Sequence, residues 1–330
     1  MDHLFSRSKD NMKKIILITG TNGFIFSTFI KNVLEKYSDQ YRFIGIDKLA
    51  NNFNYANFIE HPNYKLYLGD ISDEHFVYSV FKIEKPNIVI NGAAESFVDA
   101  AIFNARPFIK SNVLGTQVLC DASVEYNIEK FIQISTDEVY GHLKNDDCAW
   151  TELVAPMPRN PYSVSKYASE LVVYAASQTH GLKYNITRSC NIMGPRQPNR
   201  NLIPTTINSI FKNKIIPIHS DGYQTRCWDY IDNKCSAIMY ILHNAPDNEI
   251  YNLGPGYELN NLETVNKICD YFGKGHELIK TGFLRKGIDQ RYAIDASKLY
   301  SLGYSPQYSF DEGFERTMRW YKNNLDYLDL

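Results

Sequence analysis

The sequence predicts an α/β protein: a doubly wound parallel sheet followed by a smaller, mixed α/β C-terminal lobe. Three observations predict it. Six apolar segments rich in Ile and Val show little polar alternation, as strands covered on both faces do. Helical patterns separate most of them, and strand–helix alternation of this kind builds a parallel sheet. The first such unit, "IILITGTNGFIFSTFI" at residues 15–30, is a strand, a glycine turn and a helix start.

The strands are expected at Ile15–Thr19, Arg42–Ile46, Tyr64–Leu68, Asn87–Asn91, Lys130–Ser135 and Tyr184–Arg188. Helices are expected between them, for example at His75–Lys85 and Ser163–Thr179. After about residue 190 the pattern loosens around Pro195, Pro198 and Pro204, and a late amphipathic helix follows in "FDEGFERTMRWYKNN". These features divide the chain into a polar extension (1–12), a sheet domain (13–188, with about 226–248) and a second lobe (189–225 and 249–330). No internal repeat or low-complexity segment is visible.

The chain has 330 residues, with 22% charged and a formal net charge of -2. That near-balance gives no electrostatic reason to expect nucleic acid or an anionic membrane as partner. Apolar runs such as "KKIILITG" are too short to span a bilayer, and the first residues have no secretory apolar core. Six scattered cysteines without a CxxC pair fit reduced, mostly buried thiols in a cytoplasmic protein and suggest no metal site.

The strand ends carry the ligand signal. Gly20 permits a tight turn, and Gly23 lets a pyrophosphate approach backbone N–H groups at a helix N-terminus. Phe26 stands where a third glycine would ease helix–strand packing, so it should shift the helix slightly more than it disturbs phosphate contact. Asp47 ends the second strand, where a carboxylate accepts hydrogen bonds from ribose hydroxyls and repels a 2′-phosphate, the mark of NAD. Asp70 and Ile71 end the third strand near the expected adenine; Ala93 and Ala94 leave room after the fourth. Any one of these acids can instead be a turn residue, but four strand ends converge on one ligand. The domain thus reads as an NAD-binding Rossmann fold. Asn22, Phe24, Ile25, Lys48 and Ser96 complete the expected cofactor set with Tyr162 and Lys166.

Chemistry is carried by "ISTDEVYG" and "YSVSKYASE". Tyr162 and Lys166, four apart on a helix, share a face. An ammonium beside a phenol, with a positive nicotinamide close by, favours the phenolate and makes Tyr162 a base for a hydroxyl proton.

"GTNGFI", "AAES", "STDEVYG", "YSVSK", "RSCNIMGP" and "RYAID" together resemble the extended short-chain dehydrogenase/reductase family, and within it the nucleotide-sugar 4,6-dehydratases. The resemblance runs from about residue 13 to about 322. It implies that Tyr162 and NAD oxidise a hexose at C4 while Thr136 hydrogen-bonds that oxygen. Glu138 then takes the C5 proton, a protonated Asp137 gives one to the departing C6 hydroxyl, and reduction at C6 regenerates the cofactor. Adjacent carboxyls can split their pKa values so that one is acid and the other base. The product is a 4-keto-6-deoxy sugar, with configuration at C5 retained.

The same resemblance places the nucleotide diphosphate in the second lobe. Asn191 would meet the phosphates, Asn201, Leu202, Pro217 and Ile218 would line base and ribose, and Arg226 and Arg291 would pair with the diphosphate, with Ser96 near the sugar. Phe97 stands where the family usually has histidine, and Asn201 where it has lysine. These departures leave dTDP-glucose, UDP-glucose and UDP-N-acetylglucosamine open as substrates. A C4 epimerase and a non-catalytic NAD-binding regulator are the competing readings; the acid pair argues against the first, and intact Thr136, Tyr162 and Lys166 against the second. The family also implies a homodimer, built from helices at about 105–126 and 162–179.

Overall fold

The computed structural model describes residues 13–49, 57–283 and 289–329. The expected polar extension lies outside the described residues.

Thirteen strands are seen among them: β1 (Lys14–Thr19), β2 (Tyr41–Asp47), β3 (Tyr64–Leu68), β4 (Ile88–Asn91), β5 (Lys130–Thr136), β6 (Tyr184–Ser189), β7 (Asn191–Met193), β8 (Ile216–His219), β9 (Thr225–Tyr230), β10 (Glu249–Leu253), β11 (Glu258–Asn260), β12 (Ile279–Phe283) and β13 (Arg291–Tyr292). The helices are α1 (Phe24–Tyr37), α2 (Glu74–Glu84), α3 (Val98–Phe103), α4 (Arg106–Phe108), α5 (Gly115–Glu125), α6 (Pro161–His180), α7 (Leu202–Phe211), α8 (Ile231–Asn244), α9 (Asn261–Phe272), α10 (Ser297–Ser301) and α11 (Phe310–Asn323). A π-helical stretch, Ile109–Leu114, joins α4 to α5.

Seven strands form one sheet in the order β10-β6-β5-β4-β1-β2-β3. Every pair in it is parallel. This is the doubly wound arrangement the sequence predicts, with the chain reversing direction across the sheet at β1/β4. Along β1, Ile16 and Ile18 feed one apolar cluster and Leu17 the other, so both faces are dry and the alternation of two is satisfied without polar residues. On the first face sits α1, whose Phe26, Phe29, Ile30, Val33 and Leu34 form a buried stripe at helical spacing. Helix α8 packs on α1; α2 and α5 cover the opposite face.

The sheets differ from the expected returning segment, about 226–248, at both of its limits. Residues 225–230 (β9) belong to a second sheet, ordered β11-β9-β13 with β7 also on β9. The chain re-enters the main sheet domain through α8 and runs on to β10 at 249–253, beyond the expected limit of 248. Strand β10, "EIYNL", escapes detection because only Tyr251 and Leu253 are fully buried apolar residues in an otherwise mixed segment. The small lobe is completed by a β12-β8 pair and helices α7 and α9, which pack together.

Candidate active site

A cleft of about 1110 Å³ runs from the C-terminal ends of β1, β2 and β4 to helix α7 and strand β8. Its floor begins at the glycine turn. Gly20 has φ +76°, and a Cβ there would lie 2.9 Å from the backbone of Ala93, so the turn and the loop after β4 touch main chain to main chain. Helix α1 starts from Gly23 without a side-chain cap. The Asp47 carboxylate accepts from Asn22 N (2.9 Å) and Leu49 N (2.8 Å), which fixes the turn against the end of β2. Thr19 Oγ1 donates to Asn91 Oδ1 (2.6 Å) and accepts from Ala93 N (3.0 Å), locking the ends of β1 and β4 together.

Phe26 is buried on the sheet side of α1. A Cβ added to Gly92 would meet its ring at 2.1 Å. The bulky residue at the third glycine position is therefore accommodated by a missing side chain on the facing loop.

The acid pair follows β5 directly. Thr136 caps a short 3₁₀ turn over Asp137–Tyr140, accepting from Glu138 N at 3.3 Å. Asn160 caps α6 through a capping box with Ser163 and has Pro161 at the first helical position, which fixes the start of the helix that carries Tyr162 and Lys166. The same Asn160 donates from Nδ2 to Glu138 Oε2 at 3.1 Å. The Thr136 hydroxyl acts on the Tyr162 phenol, favouring its ionised form against the larger effect of burial. Thr136, Glu138, Tyr162 and Lys166 all line the cleft.

Asp137 is only 1% exposed and lies beside the cleft without lining it. Its Oδ1 accepts from Thr136 Oγ1 (3.3 Å), and its buried Oδ2 has no partner among the described residues. Burial, then the Glu138 charge, push this carboxyl up to about 7, against the weaker pull of Arg226. A carboxyl held this high can keep its proton and act as an acid beside the cleft.

The expected pairing of Lys166 with the phenol is not present. Lys166 Nζ donates to the Ile134 carbonyl at 2.5 Å. Burial pulls the ammonium down to about 8, opposed by Glu170. Burial and the two carboxylates push the Tyr162 phenol above its ordinary value. Burial, more than the neighbouring carboxyls, favours the neutral phenol.

Of the remaining expected residues, Gly20, Asn22, Gly23, Phe24, Ile25, Asp47, Lys48, Ile71, Ala93, Ala94 and Ser96 line the cleft at its sheet end. Asn191, Asn201, Leu202, Pro217 and Arg226 line it at the small-lobe end. Three of the expected residues are not among the lining. Asp70 is not part of the lining: it accepts from Ser72 N (2.9 Å) and Ser72 Oγ (2.8 Å), and Gly69 and Ile71 flank the cleft instead. Ile218 alternates away from Pro217 along β8 into the core. Arg291 spends its guanidinium on Glu258 (2.6 and 2.8 Å) and on the carbonyls of Lys144, Asn145 and Asp147. Arg226, by contrast, faces the cleft from a seat over the Tyr292 ring, 4.4 Å from its centroid.

The cleft also holds residues the sequence reading missed. Asn160 was legible as an Asn-Pro helix start. Lys234, on α8, is 3% exposed and lines the cleft, and burial pulls it down to about 8. Nothing in its local pattern marks it.

The sheet end fits a dinucleotide: an open helix N-terminus, a carboxylate at the end of β2, and a buried Asn22 Nδ2 donor without a partner among the described residues. No group of three or more His, Cys, Asp or Glu among the described residues is placed to hold a metal ion. No described helix is long and apolar enough to cross a membrane.

Comparisons with known proteins show the family. A family model described as GDP-mannose 4,6 dehydratase matches residues 17–317. The low-salt glycan biosynthesis protein Agl12 of Haloferax volcanii is 40% identical over 93% of this chain and 98% of its own. The dTDP-glucose 4,6-dehydratase of Streptomyces antibioticus is 33% identical over 94% of this chain and 92% of its own. The structure of DesIV, a dTDP-glucose 4,6-dehydratase from Streptomyces venezuelae with NAD and TYD bound, superposes with a TM-score of 0.90 at 35% identity, covering 95% of this chain and 98% of that one. By this family match, the relatives' identities and the shared fold, the chain belongs to the nucleotide-sugar 4,6-dehydratases of the extended short-chain dehydrogenase/reductase family.

Proposed function

We propose that this protein is an NAD-dependent dehydratase that converts a dTDP- or UDP-hexose to its 4-keto-6-deoxy sugar. The observation that carries the reading is the adjacent acid pair: Asp137 buried, with its carboxyl pushed up to about 7, and Glu138 on the cleft and oriented by Asn160. An epimerase acting at C4 has no need of it.

Bound at the sheet end, NAD supplies the oxidant for C4 and, once reduced, the reductant for C6, and its positive ring adds the charge that favours a Tyr162 phenolate. Tyr162 takes the C4 hydroxyl proton, and Thr136, which lines the cleft with it, holds the same oxygen. Glu138 takes the C5 proton that the C4 ketone acidifies. Asp137 gives its proton to the C6 oxygen as water leaves. Lys166, anchored on the Ile134 carbonyl, would hold the cofactor ribose. Arg226, whose Nη1 and Nη2 are braced by the carbonyls of Thr225 (2.7 Å) and Asp289 (3.1 Å), receives the diphosphate with Asn191.

The protein is proposed to work in the cytoplasm as a homodimer. Ile109, Leu114, Val164, Leu171 and Tyr174 are exposed apolar side chains on the paired α5/α6 side of the domain, as a second copy would cover. Sedimentation of the purified protein tests this.

Incubating the protein and NAD separately with dTDP-glucose, UDP-glucose and UDP-N-acetylglucosamine tests the reaction. Loss of one water and a 4-keto-6-deoxy signature by mass spectrometry and proton NMR is expected for at least one. A C4-inverted sugar with its water retained overturns the proposal in favour of the epimerase.

A further inference from the structure

Phe97 and Arg200 meet across the cleft. Phe97 follows Ser96 in the loop after β4, and Arg200 stands in the turn before α7. The guanidinium carbon lies 5.2 Å from the centroid of the Phe97 ring, and both residues line the cleft. The turn is closed by a backbone bond from Arg200 N to Pro198 O at 2.7 Å, so the side chain projects from a fixed base.

Arg200 is half-buried, and no protein carboxylate or carbonyl accepts from its guanidinium among the described residues. Burial holds it below the ordinary arginine range. Glu95, whose charge acts on it, is already taken by Lys48 at 2.7 Å. A guanidinium offers five donors in a plane, and partly desolvated donors left unmade are costly. Among the described residues its fork is therefore open to a ligand, with the guanidinium carbon within cation–π reach of an aromatic ring.

We propose that this pair selects the hexose, and that it selects one carrying an acylamino group: Arg200 donates to the acyl carbonyl while the Phe97 ring takes the amide face and its methyl. A sugar hydroxyl would satisfy a donor but leave the ring uncovered. A carboxylate at C6 is ruled out by the reaction, since the C6 hydroxyl is the group that leaves. An acylamino group alone offers a planar apolar face and a strong acceptor together. This inference rests on the dehydratase reading of the cleft, and it names the sugar.

Binding separates the two. Dissociation constants of the NAD-loaded protein are measured by calorimetry for UDP-N-acetylglucosamine, UDP-glucose and UDP alone, and for the corresponding dTDP compounds. In whichever nucleotide series binds, the acetamido sugar is expected to bind at least about tenfold more tightly than the 2-hydroxy sugar. Arg200→Ala should erase that preference and leave the free nucleotide unaffected; Arg200→Lys should keep part of it; Phe97→Ala should weaken the acetamido sugar selectively. Equal or tighter binding of the 2-hydroxy sugar overturns the inference. So does an Arg200→Ala variant that weakens the free nucleotide and both sugars by one factor, which would make Arg200 a diphosphate ligand. Absence of binding in both series overturns it together with the dehydratase reading. A clear acetamido preference without water loss from any sugar would uphold the selectivity and sink the dehydratase reading alone.

Discussion

Phe26 and Gly92 form a pair in which one residue is large because the other is empty. Replacing Gly92 with Ala would set its Cβ 2.1 Å from Phe26 Cε2, 2.5 Å from Cδ2 and 2.7 Å from Cζ. The ring has little room to yield: it is 3% exposed and packs on Phe29 with centroids 5.3 Å apart. Gly92 has no positive φ, so backbone strain adds nothing and the cost is overpacking, roughly 1–3 kcal/mol. Phe26→Ala alone removes a buried ring and should cost about 3–5 kcal/mol. In the double variant the added methyl enters space the ring has left, so the combined loss should fall short of the sum by about 1–3 kcal/mol. Thermal unfolding of the four proteins measures the cycle, with Gly92→Ala expected to melt lower by a few degrees. Because both residues also line the cleft, NAD affinity should fall in Gly92→Ala and recover in the double variant. Additive losses, or a Gly92→Ala protein as stable as the parent, would refute the paired packing.

The remaining expectations concern the acids and the arginines. Asp137 is held at about 7 against an ordinary 3.8, so the folded state binds its proton more tightly than the unfolded chain does. Its contribution to stability is therefore present at low pH and lost as pH rises from about 4 to about 7, by at most about 4 kcal/mol. Asp137→Asn should raise the melting temperature at pH 8, leave it near the parent's at pH 4, and slow water elimination about 10²–10⁴-fold; a variant less stable at pH 8 contradicts the burial argument. In the parent, elimination should decline about tenfold per pH unit above about 7 as Asp137 loses its proton, and a rate flat to pH 9 would remove Asp137 as the acid. Arg291→Ala should lower the melting temperature, since it strands Glu258 and three carbonyls at about 1–3 kcal/mol, while leaving nucleotide-sugar affinity intact. Arg226→Ala should do the reverse, weakening free UDP or dTDP with a smaller change in melting; identical behaviour of the two would undo their separation.

The main sheet was legible because its strands are nearly uninterrupted Ile/Val segments, and all six expected strands lie within a residue or two of their observed limits. Strand ends then located the cleft, since side chains at the C-terminal edge of a parallel sheet share one crevice whatever their sequence separation. Contacts made by distant partners were not legible. Arg291 sits in "RYAID", but its fate is decided by Glu258, 33 residues away, and by three carbonyls of the 144–147 loop. A disturbance is expected at Phe26 only while Gly92, whose empty face comes from another strand end, is left out of account. The phenol and ammonium of Tyr162 and Lys166 do share a helix, as their spacing requires, but burial and the Ile134 carbonyl set their charges, and neither is encoded in a four-residue interval.

Strand β10 has a consequence for the birth of the protein. It pairs with β6, yet 59 residues separate the end of one from the start of the other, and the small-lobe strands β7, β8 and β9 lie between. A ribosome that has delivered β1 through β6 has made six-sevenths of the sheet and left β6 as a bare edge, its N–H and C=O groups open to any other extended chain. Only after α8 has emerged does the strand that seals this edge follow. The nascent chain thus carries an adhesive margin through a defined stretch of its own synthesis. Ribosome stalling or truncation between residues 190 and 248 is the interval in which this protein is most exposed to aggregation, and its two lobes cannot be inherited or engineered as separate pieces cut at residue 189.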